Sequence, residues 1–293
     1  MGLEKASPDL GNFLFFDHVN MQVTDHRLAT LFFIEGLGLT RDPYRNVGVR
    51  NMWANVGTQQ FHLPIGQPPR FAGEVGVALP DLEQVAVQLE LVREPLRGTA
   101  FEFAREAGGN GSGHAHESVR VIDPWGRQLR LFRANAFPGR NPLAIPYIEF
   151  YVAPGTHEGI ARFYREVIGA PVEILNAAGE PTAHVFSGPH HALRFREKRG
   201  ETPSGHALHV ALYLTRFWEV YQRMEALGIV FEKAANEQFR FMDIPALNPS
   251  GKPGAPLYSI EHEMRSAYHL DYRRPLVNRM VAMPNEPGYV PPS

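Results

Sequence analysis

The 293-residue chain contains no cysteine. That excludes disulfides, thiolate metal sites and cysteine nucleophiles, and leaves histidine, aspartate and glutamate for any metal. An excess of either charge is also lacking, with 29 basic side chains against 31 acidic ones. A balanced surface has no electrostatic hold on a polyanion, so neither nucleic acid nor an anionic membrane is an expected partner. No run approaches the roughly eighteen apolar residues of a membrane span. The opening stretch MGLEKASPDLGN lacks the apolar core and basic flank of a secretory leader. The expectation is a cytoplasmic protein, monomer or homodimer. What the chain does have is 13 histidines and an apolar fraction of 44%, enough to build real cores at this length.

The stretch FDHVNMQV organises the rest. Val19, Met21 and Val23 alternate with His18, Asn20 and Gln22, a period of two that gives a strand one apolar and one polar face. The layout returns in GEVGVAL with Glu74, in YIEFYV with Glu149 and in LHVALYL with His209. Four such copies make an internal repeat. After the first strand, Leu28, Leu31 and Phe32 predict a helix over 25–35, capped by Thr24 or Asp25 and ended by Gly36 or Gly38. Extended pieces at 40–45, 50–56 and 59–64 complete a β-α-β-β-β unit. A second unit runs from the strand at 73–79 through a helix bearing Leu82, Val85 and Leu89. It passes a Gly/Ser-rich hinge at 108–113 and closes on VRVIDPWGRQLRLF. Residues 135–144, with Pro138, Gly139 and Pro142, read as a linker. A third unit opens at Ile145 and closes near HALRFREK; a fourth opens at His206 and closes on APLYSIEHEM. The predicted organisation is a disordered N-terminus (1–12), a first domain of two units (13–134), the linker, a second domain of two units (145–270) and a Pro-rich tail (271–293).

Four such units, each with a ligand-type residue on its first strand and one with a DP-x-G turn before its closing strand, resemble the vicinal oxygen chelate superfamily. That group includes glyoxalase I, the extradiol dioxygenases and the bleomycin-resistance proteins. The likeness spans about 13–265 and rests on FDHVNMQV followed by LFFIEGLGL, GEVGVALPDL, DPWGRQLRLF and LHVALYL. It implies an α+β fold in which four βαβββ modules form two half-barrel cups of mixed sheet with flanking helices. It also implies metal ligands on the first and fourth strands of each unit. Carried onto this chain, those positions are His18, Glu74, Glu149 and His209 on first strands, and His62, Arg130, Arg194 and Glu261 on fourth strands. Arginine cannot ligate a cation, so the family pattern is broken at two of the eight.

The units can share cups in two ways. Neighbouring pairing, as in extradiol dioxygenases, places an arginine in each cup. Unit charges about 4 Å apart at an effective dielectric of about 20 interact by roughly 4 kcal/mol, and a dication by about twice that. Crossed pairing, as in single-chain four-unit glyoxalases, collects His18, His62, His209 and Glu261 in one cup. It leaves Glu74, Arg130, Glu149 and Arg194 to neutralise one another in a degenerate second cup. Charge balance favours the crossed arrangement. In it, Glu263 competes with Glu261 from the same strand face, and the arginines of the second cup offer an alternative role in binding an anionic substrate.

Several histidines read as structural: His114 and His116 in a Gly-rich loop, His190 and His191 at a turn, and His206, which points away from His209. Trp53 reads as packing. An imidazole-rich set with one carboxylate suits a single divalent ion, Fe, Mn, Co, Ni or Zn, with two adjacent positions left for a substrate bearing vicinal oxygens. The resemblance implies a glyoxalase-type isomerase or lyase acting through a metal-bound enediolate, with Glu261 as base and Asn20, Gln22, Gln60 and Tyr213 contacting substrate. Two alternatives stand beside it. One is an extradiol-type dioxygenase using Glu149, His209 and Glu261. The other is a metal-free, resistance-type binding protein.

Overall fold

Each repeat folds as one strand, one helix and three strands in a computed structural model that describes residues 11–42, 50–68, 70, 72–108, 116–137, 142–177, 179–200 and 208–276. The first ten residues, the Gly-rich stretch with His114, residues 138–141 of the linker, His206 and the tail beyond 276 lie outside the described residues. Unit one is β1 (Phe13–Asn20), α1 (His26–Ala29) continuing as a π-helical segment Thr30–Gly36, β2 (Thr40–Arg41), β3 (Asn51–Val56) and β4 (Gln59–Pro64). Unit two is β5 (Gly73–Leu79), α2 (Leu82–Leu91), β6 (Glu102–Glu106), β7 (Ser118–Ile122) and β8 (Gln128–Arg133). Unit three is β9 (Ala144–Val152), α3 (His157–Phe163) continuing as a π-helical segment Tyr164–Ile168, β10 (Val172–Ala177), β11 (Glu180–Gly188) and β12 (His191–Glu197). Unit four is β13 (His209–Leu214), α4 (Phe217–Ala226), β14 (Val230–Ala235), β15 (Gln238–Leu247) and β16 (Pro253–Ser266). The first two helices start on aspartates whose carboxylates accept from the backbone: Asp25 from Arg27 N at 2.6 Å and Asp81 from Gln84 N at 2.9 Å.

Two open eight-stranded sheets result, one in the order β14-β15-β16-β13-β1-β4-β3-β2 and the other β10-β11-β12-β9-β5-β8-β7-β6. The first unit therefore shares a sheet with the fourth, and the second with the third. In each sheet the two first strands run antiparallel at the centre, and every fourth strand lies parallel to its own first strand. The stretches 13–134 and 145–270 each give one unit to each sheet, and the linker joins two strands, β8 and β9, of the same sheet.

The period of two decides which face is which. Val75, Val77 and Leu79, and likewise Val210, Leu212 and Leu214, are fully buried and join the helices in one core that spans both sheets. Burying each such side chain stabilises by about 1.5–3 kcal/mol. The intervening residues line the concave faces. Between the sheets, Gln59 Oε1 accepts from Ile145 N at 2.7 Å and Gln59 Nε2 lies 3.2 Å from His191 Nδ1, which donates within its own sheet to Ile145 O at 2.9 Å. Burial pushes His191 down to about 4, so this link stays neutral. Gly57, at φ +67°, sits where an added Cβ would meet Leu143 O at 2.0 Å, so the β3–β4 turn packs backbone to backbone on the linker.

Candidate metal centre

On the concave face of the first sheet, β1, β4 and β13 bring His18, His62 and His209 together, with one ring nitrogen from each lying within 4.8 Å of the others. Ladder register explains the meeting: Asn20 stands opposite both His62 on β4 and His209 on β13, and His18 is two residues away on the same face. His18 Nε2 and His209 Nε2 are 3.2 Å apart. Two neighbouring nitrogens bound at about 2.0–2.1 Å to one ion would stand about 2.9–3.4 Å apart, so the spacing fits a shared cation.

Each imidazole is oriented from behind. His18 Nδ1 donates to Asp17 Oδ2 at 2.8 Å, which leaves the lone pair on Nε2 facing the centre. His62 Nε2 donates to Asn51 Oδ1 at 3.3 Å, and its Nδ1 accepts from Asn20 Nδ2 at 2.9 Å. Trp53 stacks flat on His62 at 3.8 Å and meets His18 edge-on at 4.9 Å, so it packs against the imidazoles themselves. Burial, reinforced by the positive fields of Arg240 and Arg265 and of His18 when it is protonated, holds His209 well below the usual imidazole range. A neutral ring is what a metal requires.

Two carboxylates approach from β16. Glu261 Oε1 lies 3.6 Å from His209 Nδ1, and Glu263 Oε2 lies 3.6 Å from His209 Nε2, the nitrogen that also faces His18. Arg240 on β15 donates to both, at 2.6 Å to Glu261 and 2.7 Å to Glu263. Arg265 pairs with Glu263 and also donates to Asp17 Oδ2 at 3.1 Å, tying one side of the site to the other. Burial alone would raise the Glu263 carboxyl, but the positive charges facing it, that of His18 when protonated and those of Arg265 and Arg240, outweigh it and hold the group below its usual value. Glu261 is the more open of the two and lines a cavity of about 270 Å³ with Asn20, Gln22, Leu208, His209, Arg240 and Met242.

The other predicted contacts go elsewhere. Gln60 is buried and donates to Asp42 at 2.6 Å and Asn55 at 2.8 Å, while accepting from Arg274 at 3.1 Å. The Tyr213 hydroxyl accepts from Arg265 at 3.3 Å. Arg274 and Leu276, at the start of the predicted tail, lie on the first unit, where Asn55 Nδ2 donates to Leu276 O at 2.7 Å. The dioxygenase-type set is corrected by the topology: Glu149 stands on β9 in the other sheet and accepts from Arg196 at 2.9 Å, so it does not join His209 and Glu261. Asp17, Arg240 and Arg265 were not read from the sequence as site residues. Arg240 follows the strand period, since Phe239 and Phe241 on either side are fully buried. Asp17 reaches the site through a register shift between Phe16 and His18, which no periodicity encodes.

In the second sheet, Glu74 accepts from Arg130 Nε at 3.0 Å, Gln128 Nε2 at 2.6 Å and the Tyr147 hydroxyl at 2.5 Å. Glu149 pairs with Arg196 instead of Arg194, whose guanidinium lies 3.8 Å over the Tyr147 ring.

No family profile matches the chain, and no curated protein matches it. Solved structures do. A single-substitution mutant of glyoxalase I from Zea mays is 13% identical with a TM-score of 0.61, over 88% of this chain and 94% of that one. The same enzyme without a substitution gives 0.59 at 13% identity, over 87% and 92%. A Bacillus subtilis protein described as a candidate dioxygenase gives 0.54 at 13% identity, over 87% and 85%. At such identities the likeness is one of fold.

Proposed function

For a chain that has the vicinal oxygen chelate fold, with three imidazoles meeting in the cup of its outer units, we propose a metal-dependent enzyme of glyoxalase type. It would be an isomerase or lyase acting on a small substrate with neighbouring oxygens. The observation that carries this reading is the convergence of His18, His62 and His209 from the two ends of the chain. A divalent transition ion held there would supply Lewis acidity to adjacent substrate oxygens, and Fe, Mn, Co, Ni and Zn all suit such donors.

The chain's own groups do the rest. His18 offers Nε2 because Asp17 takes the Nδ1 proton, and His209 offers a lone pair because burial keeps it neutral. His62, whose ring proton on Nε2 is held by Asn51, would offer Nδ1 to the ion in exchange for the Asn20 amide that donates to it. We assign the fourth place to Glu261, which faces the cavity and is oriented by Arg240. From that position it moves a proton to or from the carbon beside the substrate oxygens. Asn20 and Gln22 present amides along the wall, while Leu208 and Met242 cover the apolar side.

Metal analysis of protein purified without chelators tests the reading. The wild type should carry a stoichiometric transition ion, and His18→Ala and His62→Ala should lose it. A metal-free wild type that His18→Ala leaves unchanged would favour the binding-protein alternative. Oxygen uptake with Fe(II) and a panel of catechols is expected to be nil; uptake would move the assignment to a dioxygenase.

A further inference from the structure

We infer that the cup of the two middle units is an oxyanion site, in which Arg194 receives a carboxylate or phosphate group of a small molecule. This cup has lost the donors of a cation site: two of its strand positions are arginine, and Glu74 is saturated by Arg130, Gln128 and Tyr147. Its three central guanidiniums are not equally employed. Arg130 pairs with Glu74 and Glu106, and Arg196 with Glu149 and Glu180. Arg194 makes no ion pair or hydrogen bond among the described residues; its guanidinium lies over the face of Tyr147, near enough to Glu149 and His184 to be felt by both. Tyr147 is itself fixed by its bond to Glu74, so Arg194 rests on a rigid platform.

Unpartnered polar atoms gather at the same place. Arg194 Nε, Arg196 Nε and His184 Nδ1 are all buried without a hydrogen-bond partner. His184 and Arg194 are directly opposed on β11 and β12, and Arg196 is two residues along on the same face. An unsatisfied buried polar atom costs about 1–3 kcal/mol, and one concave patch holding three calls for a ligand rich in acceptors. Burial, with Arg194 beside it, pushes His184 down to about 4, so at neutral pH it is uncharged and the guanidiniums supply the cationic character. Planar guanidinium forks match carboxylate and phosphate oxygens.

Calorimetric titration of the intact protein with inorganic phosphate and, separately, with acetate tests the site. Saturable binding of one equivalent is expected in at least one arm, and the arm that responds identifies the anion. Arg194→Gln should weaken it by at least about tenfold, whereas Arg194→Lys, which keeps the charge and loses the fork, should lose less. Metal uptake by the three-histidine cup should be unchanged in both variants. If Arg194→Gln fails to fold, His184→Gln is the second variant, expected to weaken the same binding. No saturable binding of either probe up to about 10 mM, or wild-type binding by Arg194→Gln, would overturn the inference.

Discussion

At matching places on the two parallel ladders, Asn20 stands beside His62 in one cup and Gly76 stands beside Arg130 in the other. The difference propagates. Asn20 carries an amide that bonds His62, whereas the bare backbone of Gly76 lets the Tyr147 ring lie where an added Cβ would meet it at 2.4 Å. That ring, with Phe132, Ala192 and Phe137, fills part of the middle-unit cup, and its hydroxyl takes up Glu74. Imidazoles cannot neutralise one another, and His18, His62 and His209 turn ring nitrogens toward a common point. Carboxylates and guanidiniums can neutralise one another, and in the other cup Glu74 and Glu149 do so. One architecture thus gives a candidate cation site where its donors share a sign preference, and carboxylate–guanidinium pairs with Arg194 left over where they do not.

The sharpest break in this contrast is His209→Ala, which should abolish stoichiometric metal in elemental analysis, while Arg130→Gln should leave metal content untouched. Next comes Glu74→Gln. It leaves Arg130 buried without its main counter-charge, so it should cost about 3–5 kcal/mol in denaturant unfolding and spare metal binding. Acid is the third lever. His184 and His191 are held to about 4 and His262 to about 3, all by burial, and His209 is also depressed. Unfolded imidazoles bind protons near pH 6.5, so stability is full above that value and falls as the pH drops from 6.5 towards 4. The loss is on the order of 3 kcal/mol for a histidine held near 4. Urea midpoints measured for His184→Gln and His209→Gln should each show a shallower acid slope than the wild type. The smallest effect is expected for Asp17→Asn, which removes the group that sets the His18 tautomer. It should weaken metal affinity by about 10- to 100-fold with the fold intact, read from binding isotherms.

Much of this was legible in the sequence. Periodicity alone placed all four units, and the alternation around His18, Glu74, Glu149 and His209 put each on a concave face, because a strand that buries one side must turn its polar residues to the other. Charge sorting pointed to the crossed arrangement that the sheet order shows. The partners of these residues were hidden. Glu149 chose Arg196 over Arg194 although both share a strand face, and that choice depends on side-chain reach and not on spacing. Gln60 shares a strand face with His62, yet Asp42 and Arg274, 18 and 214 residues away in the chain, claim it.

The order of apolar and polar residues determined by itself that this chain would build four βαβββ units and which side chains would face inward, because burial of alternate residues is a local consequence of strand geometry. Only the tertiary structure decided that β1 would lie against β13 and β5 against β9. The first of these pairings joins residues nearly 200 positions apart, so no local pattern encodes it. It is also what sets His209 beside His18, and so what makes a candidate metal centre from histidines that would otherwise be scattered along the sequence.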